Sequence, residues 1–204
     1  MSSTPQTNLQ NVFTLFLAAL TWFTVGLQLY LTKGSVFNFI SYFTILSNIL
    51  VAVSLTFSSS LPKSILGKYF SSIKVKSAIA LYIFIVGLVY NFVLRGIWNP
   101  TGWQLVVDNL LHVVVPVLYV VYWAIFTPKG TLKWLDGVTW AYFPFGYLIY
   151  SLIRGHFTTW YPYPFLNVNE IGYQKVLLNS GLMLIAFVLI GLLLILFNQS
   201  LKKE

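Results

Sequence analysis

LVVDNLLHVVVPVLYVVYWAIF, running from Leu105 to Phe126, is long enough to cross a bilayer as one helix. It carries Asp108 and His112 one helical turn apart on a shared face. A carboxylate and an imidazole about one third of the way into an apolar helix are costly in lipid, so they must face protein or water. Ionisable residues held inside a membrane are functional candidates by default. Pro116 follows one turn beyond the histidine and removes a backbone donor, which predicts a kink or an opened backbone there.

Composition outside this stretch points the same way. Of 204 residues, 58% are hydrophobic, 18% aromatic and only 8% charged. A soluble domain carries about a quarter charged residues, so the expected class is an all-α polytopic membrane protein. The net charge of +8 is spread singly or in short groups between apolar blocks. That pattern reads as topology signals and argues against nucleic acid as a partner. No cysteine is present, which excludes disulfides and thiolate chemistry. Two histidines and few carboxylates give little support to a metal site, and no cofactor is expected.

Six transmembrane helices in a single domain are expected, at about residues 12–31, 36–59, 75–94, 105–126, 138–153 and 177–197. Residues 1–11 read as a polar tail, and the first apolar block as a retained helix rather than a signal peptide. Pro144 and Gly146 make the fifth span irregular. Residues 155–171, GHFTTWYPYPFLNVNEI, are too broken by proline to cross and too aromatic for a free loop. Such rings suit a headgroup layer or a lid over a cavity. Six spans put both termini on one side, together with Lys63, Lys68, Lys74, Lys76, Lys129, Lys133, Lys202 and Lys203. The other side holds Lys33, Arg95, Arg154 and Lys175, so the termini are expected in the cytoplasm of a cell-membrane protein.

This topology sets the remaining polar residues in one layer. Thr44 lies roughly 12 Å into the second span, at 1.5 Å per residue, and His112 at a similar depth in the fourth. Thr44 and Asn48 share a face, as do Asp108 and His112. Asn91, Tyr150, Arg154 and Asn179 fall near the same level, with His156 at the mouth. A cavity lined by these groups would meet their desolvation cost. A hydroxyl, an imidazole and a carboxylate can perform acyl transfer, with Arg154, Asn48 or Asn91 opposite an oxyanion. Each also has a plainer reading. Thr44 could pack between helices, His112 could be a structurally satisfied histidine, Asp108 could start a helix, and His156 could sit at the interface; relay of an ion or proton and ligand contact are further roles open to His112.

FNFISYFTILSN around Thr44, DNLLHVVVPVLY around His112 and GYLIYSLIRGHFTTWYPYPFLNV from Gly146 to Val168 resemble the Pr6Pr family of six-span bacterial membrane proteins. More distantly, the chain resembles the androgen-induced gene 1 and androgen-dependent TFPI-regulating protein family. The likeness covers most of the chain, with YPFL at Tyr163 to Leu166 its most specific piece. The eukaryotic relatives are threonine hydrolases of fatty acid esters of hydroxy fatty acids. The resemblance implies Thr44 as nucleophile, His112 as its base, and a role for His156 ahead of the aromatic segment. The expected function is hydrolysis of lipid carboxylic esters within the membrane, with membrane lipids or fatty acid esters as partners. Noncatalytic lipid binding or transport is the alternative.

Overall fold

The structure, a computed structural model, describes residues 8–201, and every regular element among them is helical. Among the described residues, five helical stretches are long and apolar enough to cross a membrane: Asn8–Leu31, Phe43–Ser60, Ile73–Leu94, Gly102–Phe126 and Val168–Ser200. The chain is an all-α, polytopic membrane protein. It divides into two compact units, one of Met1–Lys33 with Thr44–Pro128, the other of Gly34–Phe43 with Lys129–Glu204.

The first unit holds α1 (Asn8–Leu31), α3 (Phe43–Ser60, from Thr44 on), α4 (Ile65–Ser71) and α5 (Ile73–Val89). It also holds α6 (Gly102–Asn109) and α7 (Val115–Phe126). Threonines serve inside α1 because their hydroxyls return to the helix: Thr14, Thr21 and Thr24 donate to the carbonyls of Gln10, Leu17 and Leu20 at 2.7, 2.7 and 2.8 Å. The core gathers Leu17, Val51, Leu55, Ile83, Val107, Val115, Tyr119 and Trp123, all almost fully buried. Lipid is as apolar as these side chains, so dispersion and close approach hold the helices together. Gly87 marks a close approach between α5 and the opened stretch before α7. A Cβ there would stand 3.3 Å from the His112 carbonyl oxygen and 3.4 Å from the Pro116 Cβ, which sets α5 directly against the turn leading into α7.

The second unit holds α2 (Val36–Phe39), α8 (Trp134–Trp140), α9 (Tyr142–Thr158) and α10 (Val168–Ser200). Asn198 near the end of α10 fastens the approach to α8. Its carbonyl accepts the Gly130 N–H at 2.8 Å, and its Oδ1 accepts those of Thr131 and Leu132 at 3.2 Å each. Asp136 accepts the Lys133 N–H at 2.9 Å and so caps α8.

Several boundaries differ from expectation. The second span is not continuous from residue 36: α2 stops at Phe39, and N–H bonds from Ser41 to Asn38 and from Tyr42 to Phe39 tighten the chain before α3 begins. Pro144 does not disrupt the fifth span. It sits in the first turn of α9, where a missing N–H costs nothing. At 17 residues α9 falls outside the five membrane-length helices. Residues 8–11 belong to α1, while residues 1–7 and 202–204, with Lys202 and Lys203, lie outside the described part. The last helix starts at Val168, well before residue 177, because the Asn167 side chain accepts the Asn169 N–H at 3.2 Å. Lys74 and Lys76 lie in the first turn of α5. Lys76 is buried and donates to the Tyr122 hydroxyl at 3.2 Å.

Candidate functional site

The stretch from Gly102 to Phe126 is helical throughout but opens at its centre, where Leu110–Val114 forms a π-helical turn. The Val115 N–H reaches back to Leu110, and Pro116 has no N–H to give. The carbonyls of Leu111 and His112 therefore lose their ordinary donors four residues on. Two asparagines from neighbouring segments replace them. The Asn48 Nδ2 donates to the Leu111 oxygen at 3.3 Å and to the Thr44 oxygen at 2.8 Å. The Asn91 Nδ2 donates to the His112 oxygen at 3.3 Å and to the Gly87 oxygen at 2.7 Å. Asn91 itself stands in a second π turn, Tyr90–Leu94, which continues α5.

The opened turn carries His112. Its Nδ1 lies 2.8 Å from the Asp108 carbonyl oxygen and 3.3 Å from the Asp108 carboxylate. A carbonyl can only accept, so Nδ1 bears the hydrogen and the neutral ring keeps its lone pair on Nε2. Tyr90 completes the arrangement from the side: its hydroxyl donates to Asp108 Oδ2, and its ring stacks on the imidazole with centroids 3.7 Å apart and planes 12° from parallel. The histidine side chain is 12% exposed and the aspartate 4%, so the imidazole can be reached while its anchor is shielded. Arg95 lies over the Tyr90 ring at 5.8 Å and donates to the Asn109 side chain at 3.3 Å.

Thr44 stands in the first turn of α3 and is buried. One amide nitrogen, that of Asn48, serves both the Thr44 and Leu111 carbonyls, so the start of α3 lies beside the turn that bears His112. The first unit thus collects Thr44, Asn48, Asn91, Asp108 and His112. Such a set can bind an ester and move a proton, although both asparagine amides are already engaged by backbone.

The remaining candidates belong to the second unit. Tyr150 shares a 2.7 Å hydrogen bond with the Ser41 hydroxyl, and Arg154 Nη2 donates to Asn38 Oδ1 at 2.6 Å. Asn179 donates to the Phe165 carbonyl at 3.1 Å and so holds the YPFL segment, whose Pro164–Leu166 forms a 3-10 turn. His156 is exposed and meets Phe157 edge-on at 5.3 Å.

Sequence reasoning passed over Tyr90 in the first unit and Asn38 and Trp160 in the second. Pro116 contained a usable signal for Asn91, since the carbonyl four residues before a proline lacks its ordinary helical donor, whereas the Leu111 carbonyl met by Asn48 is freed by the π turn. Nothing in the sequence marks Tyr90 as the partner of Asp108. Comparison with protein-family models, curated proteins and solved structures finds no match to this chain.

Proposed function

We propose that this chain hydrolyses lipid carboxylic esters within the membrane, with Thr44 as nucleophile and His112 as its base. The observation that carries the reading is the fixed imidazole: Asp108 holds the hydrogen on Nδ1 and turns the basic lone pair to Nε2. In the first half-reaction the Thr44 hydroxyl oxygen attacks the ester carbon while Nε2 takes its proton. The tetrahedral intermediate collapses, the carbon–alkoxide bond breaks, and the proton passes to the leaving alcohol. Water then attacks the acyl-threonine carbon with His112 again as base, the bond from that carbon to the Thr44 oxygen breaks, the proton returns to this oxygen, and the fatty acid leaves. The more distant sequence resemblance, to a family whose members are threonine hydrolases, suggests the same assignment. The setting we propose is the cell membrane, with α9 as a sixth crossing and both termini cytoplasmic.

The test is turnover of a panel of long-chain esters by purified protein in lipid, with fluorophosphonate labelling to map the modified residue. Wild type should turn over and label at Thr44, Thr44→Ser should retain part of the activity, and Thr44→Ala and His112→Ala should abolish acylation. Full turnover by folded Thr44→Ala would remove threonine from the mechanism.

A second reading is noncatalytic lipid binding or transport. It is favoured by the commitment of Asn48 and Asn91 to backbone carbonyls, which removes the two nearest amides as oxyanion donors. Folded protein with no turnover across the panel would select it.

A further inference from the structure

One face of α9 is docked against residues 38–43 by polar bonds. The Tyr147 hydroxyl donates to the Ser41 carbonyl at 2.8 Å, Tyr150 and Ser41 share a hydrogen bond, and Arg154 reaches Asn38. One donor on this face has no acceptor. Arg154 Nη1 is buried and unpaired among the described residues. A guanidinium nitrogen hidden from water with nothing to accept its hydrogens is costly, and such a group calls for an explanation. The unit's described carboxylates do not supply one, since Asp136 caps α8 and Glu170 is exposed at the start of α10.

We propose that Arg154 binds an oxyanion carried by a lipid, a carboxylate or a phosphate, and that Trp160 is the movable cover of this site. The guanidinium lies 4.4 Å from the centre of the Trp160 ring, which also meets Tyr42 edge-on at 5.6 Å. The ring offers its negative face to the cation but cannot satisfy a directed N–H. Where the ring moves aside, an oxyanion meets the Nη1 and Nη2 fork, which suits paired oxygens.

The backbone between α9 and Trp160 is built for this fold-back. Thr159 ends α9 at φ 57°, a left-handed conformation unfavourable for a β-branched residue. Tyr161 then lies on Gly155, where a Cβ would stand 2.0 Å from the ring, so only glycine permits this cover. The covered form thus combines a strained threonine with an unpaired guanidinium donor, and an oxyanion admitted beneath the cover supplies the missing acceptor.

This site lies wholly within the second unit and does not depend on ester hydrolysis. Binding of radiolabelled oleate and of methyl oleate to the purified full chain tests it, because neither measurement needs turnover. Wild type should bind oleate at least ten-fold tighter than the ester, Arg154→Gln should erase that preference, and Arg154→Lys should keep part of it. Trp160→Ala, which leaves the guanidinium intact, should speed oleate association several-fold. Displacement of oleate by phosphatidylglycerol but not by phosphatidylcholine would identify a phosphate headgroup as a ligand, and failure to displace would identify the fatty acid carboxylate. Equal affinity for oleate and its ester, with no preference for phosphatidylglycerol, overturns the proposal. So does an oleate preference that survives in folded Arg154→Gln. Unchanged association in Trp160→Ala removes the cover.

Discussion

Asp108 serves two partners at once, the imidazole of His112 and the hydroxyl of Tyr90. Tyr90→Phe keeps the stacked ring but takes a donor from a buried carboxylate, so it should cost about 1–3 kcal/mol of stability. Unfolding by sodium dodecyl sulfate from mixed micelles reads that loss. Asp108→Asn leaves the backbone carbonyl on Nδ1 but removes the negative charge that stabilises an imidazolium, so ester turnover should fall far more than stability does. Lys129 provides a charge test outside the spans. Partial burial lowers its pKa from the ordinary 10.5, and its ammonium sits 5.8 Å from the Phe197 ring centre. A lowered folded-state value means the folded chain binds fewer protons, so stability rises with pH between that value and 10.5. Thermal melts should show Lys129→Met more stable than wild type at neutral pH, with the gap closing toward pH 10.5. At this scale the sequence was informative about which residues resist burial in lipid and less so about what satisfies them. Asn48 and Asn91 are visible as polar groups in apolar helices, but their targets are carbonyls on a helix distant in sequence. Tyr90 gave no such signal, since a tyrosine at a helix end has a bland interfacial reading.

Helix opening at Pro116 is a property of the element, and a double-mutant cycle measures it. Asn91→Ala leaves the His112 carbonyl without its side-chain donor, at a cost of about 0.5–2 kcal/mol. Pro116→Ala restores an N–H four residues beyond that carbonyl. In the Pro116→Ala background the cost of Asn91→Ala should therefore shrink, and strict additivity would show that the asparagine does not stand in for the missing donor. The opening was legible because proline chemistry is local. The break between α2 and α3 was not, because VFNFISYFTIL contains no glycine, proline or charge. Its cause is tertiary: Ser41 is held by the Tyr147 and Tyr150 hydroxyls, more than a hundred residues away. The early start of α10 had a readable sign in Asn167, a good cap hidden in an aromatic stretch that suggested loop.

Across the whole molecule, hydropathy identified the membrane class and located the five long apolar helices. The region of the predicted fifth crossing is less regular, because α8 and α9 divide it at Ala141. Charge counting supports cytoplasmic termini, and reporters at the C-terminus and after Lys33 should read opposite sides of the membrane. An external C-terminal reporter would reverse the orientation. The 33-residue α10 has a further consequence. Gly172, at φ 75°, interrupts it, and the straight remainder is about 42 Å long at 1.5 Å per residue, against roughly 30 Å of hydrocarbon. Leu177, Leu178, Leu182, Ile185, Leu189 and Leu193 stay exposed along it, while Asn198 and Gln199 are tied to the chain before α8. Such a rod must tilt, project beyond the acyl chains or thicken the lipid around it, so bilayer thickness becomes a variable to which this protein responds.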